Sequence, residues 1–264
     1  MECQNRASRP LPNQHNLWSF FSTQDIVNLW EIGRLQHPLD RALTILAHAC
    51  PEMERSSLAT LTIGQRDRLL FELREQMFGG KLDAFVKCPQ CCEHLEFSLH
   101  SADILTLSET QPSNPGQSFD IIEEGLTLMF RLPDSNDLAI VAQSAAPDTA
   151  RVMLMERCVI EAIIEGNKVF AHELPDTFLS RLATRMSECD PGADILLDLA
   201  CPSCNTRWQQ SFDIVSFFWT EITAQAKRLL REVHALARVY GWREADILAM
   251  SPARRNYYLE LVEG

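Results

Sequence analysis

The sequence predicts an α+β protein that is mostly helical. Two short cysteine pairs, Cys88-Pro89-Gln90-Cys91 and Cys201-Pro202-Ser203-Cys204, are each flanked by strand-like apolar runs. In most other segments apolar residues recur at intervals of three and four. The longest such run extends from Asp213 to Tyr240. These patterns predict two β-hairpins, a set of amphipathic helices and a long amphipathic helix near the C-terminus.

The two cysteine pairs have the spacing of a four-thiolate metal site. A Cys-Pro-x-Cys turn presents two thiolates from a tight loop, and two such turns complete a tetrahedron. Zn²⁺ is the ion that best fits four soft ligands in this geometry. The sequence therefore predicts a structural Zn²⁺ held by Cys88, Cys91, Cys201 and Cys204. The two hairpins would then form one zinc ribbon, split by a long insertion.

Other interpretations of the cysteines stay open at this point. The separation of the pairs far exceeds the ~15–20 residues of a contiguous four-cysteine motif, so they can also be two unrelated turns with free thiols. A redox Cys-x-x-Cys is expected as a single pair at the start of a helix, and neither pair precedes a helical run. Cys92 and His94 lie beside the first pair and are possible substitute ligands.

Composition narrows the classes of protein to consider. A chain of 264 residues with 46% apolar residues can bury a substantial core. It contains no run of ~18 apolar residues that would span a membrane, and its polar start lacks the apolar core of a signal peptide. We therefore expect a cytoplasmic protein without a membrane partner. The net charge of −12 disfavours nucleic acid as a partner.

The order of patterns along the chain predicts five regions. We expect a flexible arm, an N-terminal helical region, the split zinc ribbon, an inserted α/β region and a C-terminal helical region. Their predicted bounds are 1–20, 21–80, 81–100 with 195–212, 101–194 and 213–264 respectively.

Local signals define most elements within these regions. Helices are expected from Ser22, from Asp40 and after Thr62, the last ending at a double glycine. A hairpin with its turn at Gly125 follows a surface loop at 108–118. A helix that begins near Asp148 is expected to continue through Ile164, because apolar residues are spaced at helical intervals along it.

The C-terminal helices offer candidate partner-binding residues. The tail is mildly basic in an acidic protein, which suits either docking of an acidic partner or a solvated helical face. Aromatic and arginine side chains often anchor interfaces, although they can equally pack the protein's own core. The candidates are Trp219, Trp242, Arg254, Arg255, Tyr257 and Tyr258.

Several motifs in the chain resemble the T4-type phage baseplate hub assembly proteins. The resemblance covers most of the chain from about Thr62 onward and is strongest in the last third. Its motifs are Phe130-Arg131-Leu132-Pro133, the run Leu196 to Cys204, Trp208, Phe212-Asp213-Ile214, the run Leu230 to Ala237, Tyr240-Gly241-Trp242 and the run Leu248 to Arg255.

The resemblance implies a non-enzymatic baseplate component or hub assembly factor that acts through contacts with other baseplate or hub subunits. The residues agree, since we find no catalytic motif and four thiolates would leave no open metal position for a small-molecule substrate. The main alternative is a zinc-ribbon nucleic-acid-binding or transcription adaptor. A metal-dependent hydrolase using Cys92, Glu93 or His94 is a further rival, and it would need an open site.

Overall fold

The structure is a computed structural model and describes residues 21–107, 116–123, 125–144 and 146–263. The predicted arm at 1–20, most of the predicted loop at 108–118 and residue 124 lie outside the described residues. Within the described part, the helices are α1 (Thr23–Gly33), α2 (Pro38–Ala49), α3 (Arg55–Ala59), α4 (Ile63–Phe78), α5 (Ser101–Leu107), α6 (Ser135–Val141), α7 (Pro147–Cys158), α8 (Asp176–Cys189), α9 (Ile214–Tyr240), α10 (Glu244–Leu248) and α11 (Pro252–Glu263). The strands are β1 (Lys81–Lys87), β2 (His94–His100), β3 (Ser118–Glu123), β4 (Leu126–Arg131), β5 (Val159–Ile164), β6 (Asn167–Val169), β7 (Ile195–Ala200) and β8 (Arg207–Phe212).

The protein is thus a mixture of helices and small antiparallel sheets, as the sequence predicts. Its described residues divide into two compact units. Residues 53–213 form the sheet unit, and residues 21–52 with 214–263 form the helical unit. The predicted five-region boundaries remain predictions. None of the described helices is both long and apolar enough to cross a membrane.

One hydrophobic core of the sheet unit lies between a four-stranded antiparallel sheet and two helices. The strand order is β3-β4-β5-β6. Alternate residues of the sheet pack against α7 and α8, so burial follows the two-residue period of the strands. The core residues are Phe119, Ile121, Leu126, Leu128, Phe130, Leu132, Met155, Cys158, Ala162, Leu174, Leu182, Met186 and Cys189.

Strand β5 corrects one prediction. The helix that begins near Asp148 ends at Cys158, and Val159–Ile164 is a strand rather than its continuation. The run is rich in β-branched residues, which favour strands, and a short apolar run does not distinguish a buried strand from a helix. Glu165 and Gly166 both have positive φ and form the turn into β6.

A buried ion-pair group supports the edge of this core. Asp137 is fully buried, and its carboxylate accepts hydrogen bonds from Arg131 at 2.6 and 2.9 Å and from Arg157 at 2.8 Å. It also caps α6 by accepting a hydrogen bond from the Asp134 N–H. Although burial raises the pKa of Asp137, the hydrogen bonds from Arg131 and Asp134 outweigh it and leave that pKa lowered.

The start of α4 is tied to the segment that precedes β7. Thr62 and Gln65 form the capping box of α4, and the Gly64 N–H donates to the buried Asp190 carboxylate at 3.0 Å. A Cβ on Gly64 would lie 1.9 Å from Asp190 Oδ1, so this contact requires glycine. Since α4 runs into β1 and Asp190 lies just before β7, the contact links the approaches to the two cysteine hairpins.

The helical unit packs α1, α2, α10 and α11 with the long helix α9. Ser22 and Asp25 form a capping box at the start of α1, and His37 caps α2. The apolar face of α9 is buried along its length. Its buried apolar residues are Ile214, Val215, Phe218, Trp219, Ile222, Ala226, Leu229, Val233 and Leu236.

Candidate metal centre and docking surface

The four predicted metal ligands lie at the turns of two separate β-hairpins. Strands β1 and β2 pair from Lys81↔His100 to Lys87↔His94, and the first cysteine pair lies in the loop that joins them. Strands β7 and β8 pair from Ile195↔Phe212 to Ala200↔Arg207, and the second cysteine pair occupies the equivalent loop. Both hairpins agree with the sequence prediction.

The first turn is closed by two backbone hydrogen bonds. The Cys88 N–H donates to the carbonyl of Glu93 at 2.9 Å, and the Cys92 N–H donates to the carbonyl of Cys88 at 3.1 Å. Cys92 has a φ of 62°, in the left-handed region that non-glycine residues seldom adopt. This conformation reverses the chain directly after Cys91.

The second turn repeats this geometry. The Cys201 N–H donates to the carbonyl of Thr206 at 2.9 Å, and the Asn205 N–H donates to the carbonyl of Cys201 at 2.9 Å. Asn205 has a φ of 57° and is the counterpart of Cys92 in the first turn. The two loops therefore have the same hydrogen bonds and the same left-handed position, although their sequences differ after the second cysteine.

The two turns bring all four sulfur atoms together. Cys88 Sγ lies 3.7 Å from Cys204 Sγ, and Cys91 Sγ lies 3.6 Å from Cys201 Sγ. All four lie within 4.8 Å of one another. Tetrahedral Zn–S bonds of ~2.3 Å place sulfur atoms ~3.8 Å apart, whereas a disulfide needs ~2.05 Å. The observed separations therefore fit ligands around a common metal ion and not disulfides.

The thiols of the group differ in acidity. Hydrogen bonds from the side chain and backbone of Thr206 lower the pKa of Cys204 to about 6. A backbone hydrogen bond from Glu93 lowers that of Cys91, but desolvation and the neighbouring cysteines outweigh it and raise the pKa to about 12. Four adjacent thiolates repel one another, so full ionisation requires a cation at their centre. The four cysteines could therefore hold a metal ion, and thiolate ligands favour soft metals.

Cys92 and His94 do not belong to this group. Both are exposed, and the described group of potential ligand atoms contains the four paired cysteines alone. That group also includes no carboxylate. The geometry therefore favours the Cys-Pro-x-Cys ligand set over the substitution that the sequence left open.

Two of the predicted partner-binding residues are buried in the helical unit. Trp219 packs against Gly33 and beneath the guanidinium of Arg41, whose central carbon lies 4.7 Å from a Trp219 ring centroid. Arg255 is 2% exposed and donates to Glu232 at 2.6 Å. These contacts account for both side chains within the unit itself.

The other predicted residues form an aromatic cluster at the C-terminal end of α9. Trp242 stacks on Tyr240 with ring centroids 4.4 Å apart, and it forms an edge-to-face contact with Tyr258 with centroids 4.9 Å apart. Tyr257 contacts Tyr258 and is 62% exposed, and the Arg254 guanidinium lies over the Tyr258 ring. The cluster is thus packed on one side and open on the other.

The structure adds an apolar line that the sequence analysis did not identify. Ala253, Tyr257 and Leu261 are spaced by four residues along α11 and are all exposed, Leu261 to 56%. Their spacing places them on one face of the helix. The i, i+4 spacing can be seen in the sequence. The exposure of these side chains cannot, because it depends on which face of α11 packs against the helical unit.

Comparison with known proteins identifies a family for the chain. Neither curated proteins nor solved structures provided a match. A family model described as "T4 bacteriophage base plate protein" matches residues 36–219. The match contains all four clustered cysteines and begins earlier than the resemblance seen in the sequence, but it ends before most of α9 and the helices after it. Because the matched region is more than half of the chain, the protein belongs to the T4 bacteriophage base plate protein family.

Proposed function

We propose that the protein is a non-enzymatic structural component or hub assembly factor of a phage-like baseplate. It acts through contacts with other baseplate subunits, and its sheet unit is held together by a structural Zn²⁺. Family membership supports the baseplate role. In this proposal the protein is synthesised in the cytoplasm and is then incorporated into a tail particle.

The observation that carries the proposal is the convergence of four cysteine sulfurs from two matching turns. Four protein thiolates fill the coordination sphere of Zn²⁺, and this leaves no position for substrate or water. A closed site of this kind supports structural use of the metal rather than catalysis. Such sites contribute on the order of 10 kcal/mol to folding in small zinc domains.

The metal has a clear structural task in this chain. The contacting cysteines are separated by 110 and 116 residues, so a shared ion closes a very long loop. The hairpins are short two-stranded sheets, which are marginally stable alone. Zn²⁺ would fix both hairpins and hold the ends of the inserted region between them in place.

For docking we propose the open side of the aromatic cluster together with the apolar line on α11. Tyr257 and Leu261 supply exposed apolar surface, and Arg254 lies at its margin. Aromatic and arginine side chains commonly dominate the energy of protein interfaces. Because Trp219 and Arg255 are buried, we assign them to the support of this surface and not to direct contact.

Metal analysis tests the site directly. We expect one zinc per chain in the purified wild type, and loss of zinc with loss of folded sheet unit in a Cys88→Ser/Cys201→Ser double variant. Cys92→Ser is the matched control, because it removes an adjacent exposed thiol outside the group. A wild type that folds without metal, or a Cys92→Ser protein that loses zinc, would contradict the proposed ligand set.

Assembly tests the baseplate role. Baseplate subassemblies prepared from particles that lack this chain are incubated with purified protein, and incorporation is measured by sedimentation. We expect Tyr257→Ala/Leu261→Ala to reduce incorporation. Ile32→Ala/Leu35→Ala is the control, since it removes equally exposed apolar side chains elsewhere on the helical unit. Failure of the wild type to incorporate would refute the proposed function.

A further inference from the structure

The outward face of α9 carries a straight basic line. Lys227, Arg231, His234 and Arg238 are spaced by four, three and four residues, and all are exposed. This spacing keeps them on one face of a helix. At a rise of 1.5 Å per residue the line extends ~17 Å.

This face lies opposite the packed face of α9. Leu229, Val233 and Leu236 are buried and lie about half a turn away from the basic line. The line is therefore directed away from the core of the helical unit.

Between Lys227 and Arg238, α9 contains one acidic residue. The carboxylate within this stretch belongs to Glu232, which is buried and accepts hydrogen bonds from Arg228 and Arg255. Among the described residues, Lys227, Arg231 and Arg238 have no ion-pair partner within 4.0 Å. The cationic groups of the line are thus available to a partner.

The N-terminal continuation of the same face is small and uncharged. Thr220 and Ala224 precede Lys227 at intervals of four and three residues and are exposed. Small side chains let a second helix approach closely, since the distance between packed helix axes depends on the side chains at the contact. The first half of this face thus carries short, uncharged side chains, and the second half carries positive charge.

The charge of the remaining chain favours a protein ligand. Residues 53–213 contain 25 acidic and 13 basic side chains, and the whole chain has a net charge of −12. This negative charge repels the long, uniformly charged phosphate backbone of a nucleic acid. A protein helix with carboxylates along one side can instead pair with the basic line alone. Resting on the proposed baseplate function, we infer that the outward face of α9 binds an acidic helix of a neighbouring baseplate subunit.

Charge reversal on the helix tests the inference. The probe is the baseplate subassembly that lacks this chain, and the readout is its apparent affinity for labelled full-length protein between 50 mM and 1 M NaCl. We expect Lys227→Glu/Arg231→Glu to weaken binding on the order of tenfold at low salt. The difference from wild type narrows at high salt because the Debye length falls from ~10 Å at 0.1 M to ~3 Å at 1 M.

Arg151→Glu/Arg207→Glu is the matched control, since it changes the net charge equally at exposed positions of the sheet unit. Circular dichroism verifies that both double variants are folded. If the wild type binds and the α9 variant binds as well as the control, the inference is wrong while the proposed function stands. If a duplex DNA oligonucleotide binds the wild type and not the α9 variant, the ligand is nucleic acid and the inference is overturned. Absence of wild-type binding to the subassembly would refute both.

Discussion

Replacement of Gly33 by alanine tests how firmly Trp219 is built into the helical unit. A Cβ on Gly33 would lie 2.4 and 2.6 Å from two carbons of the Trp219 ring. Ordinary carbon contacts are ~3.5–4.0 Å, so the ring must move by more than 1 Å. The same movement disturbs Arg41, which lies over the ring and donates to the Gly33 carbonyl at 2.9 Å.

The magnitude follows from opposing effects. Overpacking a well-packed site costs ~1–3 kcal/mol, and loss of the cation–π contact adds ~0.5–1 kcal/mol. Alanine is favoured over glycine within a helix by at most ~1 kcal/mol, and this gain is smaller at Gly33 because it is the last residue of α1. We therefore expect Gly33→Ala to lower the free energy of unfolding by ~2 kcal/mol.

The assay is urea unfolding followed by far-UV circular dichroism, with amide hydrogen exchange in α1 to localise the effect. The decisive comparison is the same substitution in a Trp219→Leu background, where the clash is relieved and Gly33→Ala should cost little or stabilise. An equal cost in both backgrounds would refute the packing argument.

Three further predictions concern the sheet unit. Burial raises the pKa of Asp67 from 3.8 to about 6, so the folded state binds the proton more tightly. Relative to Asp67→Asn, the wild type's free energy of unfolding should fall as pH rises through this window, by ~3 kcal/mol in total at 1.36 kcal/mol per pKa unit. Asp137→Asn should lower the free energy of unfolding by ~3 kcal/mol, because it removes the buried anion between Arg131 and Arg157. Cys92→Gly should raise it by ~1 kcal/mol without changing the metal content, since glycine adopts positive φ without strain.

Two of these predictions have a matched control, and the prediction for Asp137 has a refuting outcome. Asp194→Asn alters an exposed carboxylate of the same unit and is the control for Asp67→Asn. If the difference in free energy of unfolding between the wild type and Asp67→Asn does not change between pH 4 and 6, the pKa argument is wrong. An Asp137→Asn protein as stable as wild type would show that its buried charge is not required. Asn205→Gly should stabilise less than Cys92→Gly, because asparagine tolerates the left-handed region better than cysteine.

The local elements were predictable where the chain carries a specific chemical signal. Ser22 with Asp25, and Thr62 with Gln65, close capping boxes at the starts of α1 and α4. The strand Val159–Ile164 was not predictable, because its apolar spacing favours a helix whereas its β-branched composition favours a strand. Its conformation is decided by pairing with β4, a contact that the segment itself does not encode.

Long-range association was predictable only at the cysteines. The compact helical unit joins residues 21–52 to residues 214–263, and no local pattern indicates that these apolar faces pack together. The two Cys-Pro-x-Cys turns are also far apart in sequence, with 110 and 116 residues between the contacting cysteines. Their chemistry nevertheless implies that they meet, since two thiolates leave a tetrahedral metal half coordinated. Apolar faces accept many partners, whereas an incomplete ligand set specifies what is missing. For this reason the sequence supported a definite set of candidate metal ligands. It did not support a definite set of docking residues, because which side chains are exposed depends on how the helices pack.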